Sequence, residues 1–206
     1  MELQTARTEV GRRERRTAIL LAAVELFGQR GFTDTLVSDI ARAAGVGHGT
    51  VFLYFASKDA LFRAAVLEPL EEFAARSLEI MGAEGSALAR IRRLVREQVR
   101  DMPAERSYLQ VVGEAGAQDK RFGDLSAAIS AIIYRVVSRL AELVTEGMEA
   151  GGLAPGVPDI IAASYIAYLN GIGLVVRNSK DDPVWEQLID QGLRLFAPMK
   201  GDASDD

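Results

Sequence analysis

The side chains with the most directed chemistry lie between Gly31 and Leu61, in the stretch GFTDTLVSDIARAAGVGHGTVFLYFASKDAL. It holds the single histidine, His48, with Thr35, Ser38, Thr50, Tyr54, Ser57 and Lys58. Hydroxyls, an imidazole and an ammonium suit hydrogen bonds to phosphate oxygens and base edges. Thr50 offers a hydroxyl to a base edge or phosphate and a methyl group to a thymine; alternatively its hydroxyl bonds back to its own helix. Gly49 has no side chain, which lets the backbone come near a duplex. Ser57 can cap a helix whose first residue is Lys58, and free helical amides beside an ammonium form a phosphate site.

These groups need two short helices and a tight turn to hold them, the layout of a helix-turn-helix whose second helix enters the major groove. The spacing predicts it. Thr35 N-caps a helix with Val37, Ile40, Ala41 and Ala44 on its apolar side. Small Ala41 and Ala44 let the helices approach, Gly45 can take positive φ at the turn, and Val46 anchors it. A short third helix runs from about Gly49 to Phe55, projecting His48, Leu53 and Tyr54, with Phe52 and Phe55 expected in the core.

The rest of the chain is also helical in period, with no sustained strand alternation. Ile19, Ala22, Ala23, Leu26 and Phe27 mark a first helix with Gly31 as its left-handed cap. A fourth follows Ser57, and a fifth carries Leu88, Ile91, Val95 and Val99 and stops near Pro103. A sixth spans residues 105–115, and Asp124 N-caps a seventh. An eighth covers 159–177, and Asp182-Pro183 opens a ninth. The fold class is therefore all-α: a three-helix head on 11–56 that holds the helix-turn-helix, and a helical body on 57–199. A flexible N-terminal tail (1–10) and a disordered tail (200–206) are expected at the ends.

Composition narrows the function. The chain of 206 residues has no cysteine and one histidine, so no disulfide, metal site or cofactor is expected. The absence of a second histidine, a phosphate-cradling glycine loop and a dense carboxylate cluster with a base partner argues against an α-helical enzyme, and no catalytic residue is assigned. The N-terminal MELQTARTEVGRRERR has no apolar segment behind its charge, so a cytoplasmic location is expected. The longest uncharged run, Ile160 to Val176, is shorter than the ~20 residues of a membrane span. The net charge of −5 conceals an asymmetry: residues 1–63 carry nine Lys+Arg against seven Asp+Glu, residues 64–206 carry 15 against 22. Arg7, Arg12, Arg13, Arg15 and Arg16 form the one basic cluster. It either reaches the DNA backbone and minor groove or is a solvated face.

The stretch resembles the DNA-binding domain of the TetR/AcrR family of transcriptional regulators over about residues 14–63. The resemblance rests on Arg16, Ile19-Leu20, Ala22-Ala23 and Leu26-Phe27 in the first helix, Gly31-Phe32, Ile40-Ala41 and Ala44-Gly45-Val46. It closes on Gly49-Thr50, Phe55, Ser57-Lys58 and Leu61. It implies DNA contact by Thr35, Ser38, Gly47, His48, Gly49, Thr50, Leu53, Tyr54 and Lys58. Three positions depart from the family pattern: Phe52 stands for a tyrosine, Gly47-His48 for serine and lysine, and Leu36 for a threonine or serine. Fewer polar backbone contacts follow, with Leu53 making apolar contact in the groove.

The resemblance further implies a homodimer built from the last two helices and a ligand that changes the spacing of two DNA-reading heads. Ala163, Ala167, Gly171, Leu174, Trp185, Leu188 and Leu195 are the candidate dimer interface, with burial inside one chain as the alternative for the same pattern. Phe62, Gln98, Tyr108, Val111, Glu114, Ile132, Tyr165 and Asn170 are the candidate lining of a site for a small apolar effector. A buried glutamine bonded to a neighbouring helix would leave the same trace. The expected partners are double-stranded operator DNA, a second copy of the chain and that effector, with no membrane. A partner-binding adaptor that has lost DNA affinity is the rival reading, separated by the salt dependence of phosphate contacts.

Overall fold

The computed structural model describes residues 2–102, 106–117 and 119–196. Within them the chain forms nine helices and no extended strand, the all-α class expected. They are α1 (Glu2–Asp34), α2 (Val37–Ala43), α3 (His48–Tyr54), α4 (Lys58–Gly82), α5 (Ala87–Asp101), α6 (Arg106–Ala117), α7 (Asp119–Glu149), α8 (Pro158–Val175) and α9 (Val184–Arg194). The expected flexible tail at 1–10 is instead the start of α1, which begins at Glu2. Residues 2–10 contain neither glycine nor proline, so nothing in them stops a helix. The tail at 200–206 lies outside the described residues.

The chain divides into two compact units, Met1–Pro69 with Ser107–Ala128, and Leu70–Arg106 with Ile129–Asp206. The division does not fall after residue 56, because aromatic packing draws later segments into the first unit. Phe27, Phe32, Phe62 and Phe122 are all buried. Ring centroids lie 5.1 Å apart for Phe27–Phe62, 5.2 Å for Phe32–Phe122 and 4.9 Å for Phe62–Phe122. Such contacts add to the area burial of the rings. A Cβ on Gly28 would collide with the Ser107 carbonyl oxygen, so glycine is what lets α6 lie against α1.

Within this unit Gly31 interrupts α1 with φ 75° and ψ 172°. The positive φ was expected, but the ψ belongs to a region open essentially to glycine alone, not to a left-handed cap. Thr35 does not cap α2. Its Oγ1 lies 2.7 Å from the Gly31 carbonyl oxygen and 3.1 Å from that of Leu26, so its proton is donated to the end of α1. The N-cap of α2 is Leu36, without a side-chain bond.

In the second unit, α5 buries Leu88, Ile91, Leu94, Val95, Gln98 and Val99. Ser86 caps it, accepting the Ala89 N–H at 3.2 Å. Asp182 accepts the Val184 N–H at 2.9 Å and so prepares α9. Gly192 on α9 meets α5 and α8 closely: a Cβ there would stand 3.1 Å from both Val95 and Tyr168. By length and composition α8 is apolar enough to cross a membrane, yet only 33% of it is buried. Its inner side is docked by hydrogen bonds from Tyr165 to Gln98 and from Tyr168 to the Leu188 carbonyl.

Candidate nucleic-acid interface

The turn between α2 and α3 follows from its sequence. Gly45 takes φ 67° with nothing within 4 Å of where a Cβ would be, so the glycine is required by conformation and not by space. The Val46 N–H returns to the Ala41 carbonyl at 2.9 Å, closing the helix end. Gly47 then lies extended as the N-cap of α3, with no side-chain cap bond.

Val51 and Phe55, four residues apart, are 1% and 4% exposed and hold α3 against the head. This leaves His48, Gly49, Phe52 and Leu53 exposed, with Thr50 and Tyr54 half-buried between the two faces. Phe52 was expected in the core; it is exposed because it sits about 100° around the helix from Val51. The His48 ring meets Phe52 edge-on at 5.2 Å. On α2, Ser38 is exposed as expected of a DNA-facing residue. Thr35 is fully buried and leaves the candidate set, its hydroxyl already serving the end of α1.

Ser57 accepts the Ala60 N–H at 3.0 Å, the expected cap of α4. The Lys58 ammonium donates to the Thr33 carbonyl at 3.2 Å and lies 4.4 Å over the Phe32 ring, so the structure ties it to the head. The basic cluster splits by role. Arg16 donates to Glu68 at 2.7 Å and stacks over the Phe55 ring at 4.9 Å. The Glu68 hydrogen bond raises its pKa further, so it is a permanent structural cation. Arg12, Arg13 and Arg15 are exposed. Arg30 and Arg42 both pair with Asp39 of α2.

The candidate effector residues fall in both units. Phe62, Tyr108, Val111 and Glu114 belong to the first, Gln98, Ile132, Tyr165 and Asn170 to the second. Most have interior partners. Phe62 sits among the aromatic rings, and Tyr108 donates to the Val66 carbonyl at 3.0 Å. Glu114 accepts the Phe32 N–H at 3.3 Å beside Gly31, which links α6 to the break in α1. Val111 and Ile132 are buried. Tyr165 donates to Gln98 at 2.8 Å, and Gln98 donates to Ser77 at 2.9 Å. Ser77 donates in turn to the Phe73 carbonyl at 2.7 Å. Burial raises the Tyr165 pKa well above its ordinary value, so the phenol stays a donor. Gln98 thus realises the buried-glutamine alternative. Asn170 is exposed on α8 and lines no interior.

Of the candidate dimer residues, Ala163, Ala167, Gly171 and Leu174 are exposed on α8 at steps of four, four and three. Leu188 and Leu195 are half-buried. Trp185 is 4% exposed with its indole N–H on the Ser179 carbonyl at 2.8 Å, so it is burial within one chain. The residue types had not separated it from an interface tryptophan; its hydrogen-bond partner does.

Residues 19–65 match the model of bacterial regulatory proteins of the tetR family. The "fatty acid metabolism regulator protein" of Bacillus subtilis is 25% identical over 148 residues, 72% of this chain and 75% of the relative. The "HTH-type transcriptional regulator RutR" of Escherichia coli K12 is 31% identical over 147 residues, 68% of this chain and 65% of the relative. The crystal structure of AibR in complex with isovaleryl coenzyme A and operator DNA superimposes with a TM-score of 0.72 at 22% identity, over 90% of this chain and 100% of that one. That of FadR from Bacillus subtilis in complex with stearoyl-CoA does so at 0.69 and 22%, over 87% and 97%. An outward α3 on a buried Val51 and Phe55, the Gly45 turn and these likenesses agree: the chain belongs to the TetR family of bacterial transcriptional regulators.

Proposed function

We propose that the chain is a ligand-responsive repressor that binds a palindromic operator as a homodimer and is released by a small apolar effector. The observation that carries the reading is α3, which is anchored on one side and presents His48, Gly49, Phe52 and Leu53 on the other. A helix that enters the major groove needs that division. Two heads related by a two-fold axis read half-sites about 34–36 Å apart, so a palindrome mirrors the symmetry of the protein. The exposed apolar stripe of α8 is the surface that a second copy covers.

Repression is steric: the bound dimer occupies the operator. The effector shifts the population between two dimer geometries and must bind the DNA-incompetent one more tightly. Two similar folds are regulators solved with acyl-CoA compounds. An acyl chain is an apolar effector group, and acyl-CoAs are the first class to test.

The test is fluorescence anisotropy of the full chain on duplexes from its own upstream intergenic region, across a salt series and with acyl-CoAs of graded chain length. Wild type is run beside Thr50→Ala and Lys58→Ala. Tight, salt-sensitive binding is expected, with Thr50→Ala losing mainly the specific site and Lys58→Ala weakening all sequences. Failure to prefer any duplex, including after selection from a random pool, overturns the DNA-binding reading and favours the adaptor. Operator affinity that no effector alters overturns the ligand-responsive part alone.

A further inference from the structure

α3 reads HGTVFLY and contains no Arg, Lys, Asn, Gln, Asp or Glu. Those are the side chains that make bidentate or charge-assisted hydrogen bonds to bases, Arg or Lys on guanine, Asn or Gln on adenine, a carboxylate on the cytosine amino group, and without them α3 keeps only the His48 ring and the Thr50 and Tyr54 hydroxyls for that purpose. Beside His48, what α3 turns outward is mostly carbon. Leu53 is 77% exposed and Phe52 42%, and Leu36, at the N-cap of α2, is 59%. The head has no use for Phe52 and Leu53 in its core, which Val51 and Phe55 already enter from this helix. His48, edge-on to Phe52 at 5.2 Å, steadies the ring.

The surroundings of the patch match DNA. Arg16 is held over Phe55, the residue that follows α3. Arg12 and Arg13 lie about one turn earlier on α1 and are exposed. Exposed cations on the same unit as exposed carbon fit a duplex, whose phosphates flank the groove floor. On that floor, the feature that apolar carbon recognises is the C5-methyl group of thymine.

We infer that the head reads its half-site through thymine methyl groups packed on Leu53 and Phe52, a statement that rests on the operator-binding reading. Each methyl excluded from water against a side chain adds affinity, while cytosine at the same position leaves the side chain against a bare ring edge. A cytosine carrying a C5-methyl group restores that contact. The head therefore discriminates thymine from cytosine partly by the methyl group, and C5-methylation of cytosine weakens the discrimination.

The experiment starts with duplexes selected by the full chain from a random-sequence pool. Affinity is then measured on the selected duplex and on copies in which each half-site thymine is replaced, one at a time, by deoxyuridine. At the positions under α3 each loss of a methyl should weaken binding about three- to fivefold. Replacement of that T·A pair by C·G should weaken it further, and 5-methylcytosine should recover the methyl part. Leu53→Ala and Phe52→Ala should erase the difference between thymine and uracil while still binding the uracil duplex. Both side chains are exposed, so the variants should fold, as thermal melting will check. The inference is overturned if uracil duplexes bind as tightly as thymine duplexes throughout the half-site, or if both alanine variants keep the full discrimination. A pool that yields no enriched duplex overturns the operator-binding reading itself, a result distinct from either.

Discussion

α3 and α8 both leave apolar side chains uncovered, and their contrast is instructive. α3 shows Phe52 and Leu53, large residues on a seven-residue helix, in the unit that also carries the exposed arginines of α1. α8 shows Ile160, Ala163, Ala167, Gly171 and Leu174, mostly small, along an 18-residue helix with one charged residue, Asp159. Exposure alone does not name a partner. Large carbon on the same unit as exposed cations suits a polyanion with apolar features on its floor. Small residues at helical spacing suit the close approach of another helix, which for a symmetric pair is the same helix of a second copy.

Placing one carboxylate on each face breaks the comparison most sharply. Ala167→Glu should raise the dimer dissociation constant by about a hundredfold or more, because two like charges would be buried across the two-fold axis. Analytical ultracentrifugation reads the loss, and operator binding should fall with it. Leu53→Glu should leave the dimer intact and weaken DNA binding on all sequences by roughly tenfold, since it faces phosphates with a negative charge. If Ala167→Glu stays dimeric, α8 is not the interface and the contrast collapses.

The interiors behind the two faces sharpen it further. Tyr165→Phe removes the donor to Gln98 and should cost about 1–3 kcal/mol, read as a fall in melting temperature. Thr35→Val should cost about 1 kcal/mol and leave the operator affinity of the folded protein unchanged, which separates a structural hydroxyl from a DNA contact. The smallest effect is on pH. The Arg63 hydrogen bond, at 2.9 Å to one oxygen, lowers the Asp124 pKa, as do backbone amides at Asp124 and Leu125. The folded value lies below the unfolded one, so the contribution is present at neutral pH and is lost as the pH falls through the depressed value. Thermal melts through the carboxylate range should show a slight acid destabilisation that Asp124→Asn reduces.

Much of this was legible beforehand. The spacing of Ile40, Ala41, Gly45 and Val51 contains the helix-turn-helix, because a turn of this kind depends on local φ and on which residues are small. Ser57 announces its cap through a bond made three residues away, whereas Pro183, not Asp182, is the N-cap of α9. Thr35 was misread because a threonine before a helix has the composition of a cap, while its actual acceptors lie four and nine residues back, across the break at Gly31. Trp185 was left between interface and interior because inward and outward aromatic faces look alike until a partner carbonyl is placed beside the indole.

The sequence by itself determined the all-α class, the reading helix and the small-residue stripe of α8, since each follows from periodicity, caps and residue size within one or two turns. Only the tertiary structure decided that the first unit extends to Pro69 and takes in Ser107–Ala128, that Phe52 faces out, and that Gln98 and Tyr165 satisfy each other. Those outcomes depend on contacts between residues tens of positions apart, and burial and hydrogen-bond satisfaction at such distances leave no local period in the chain.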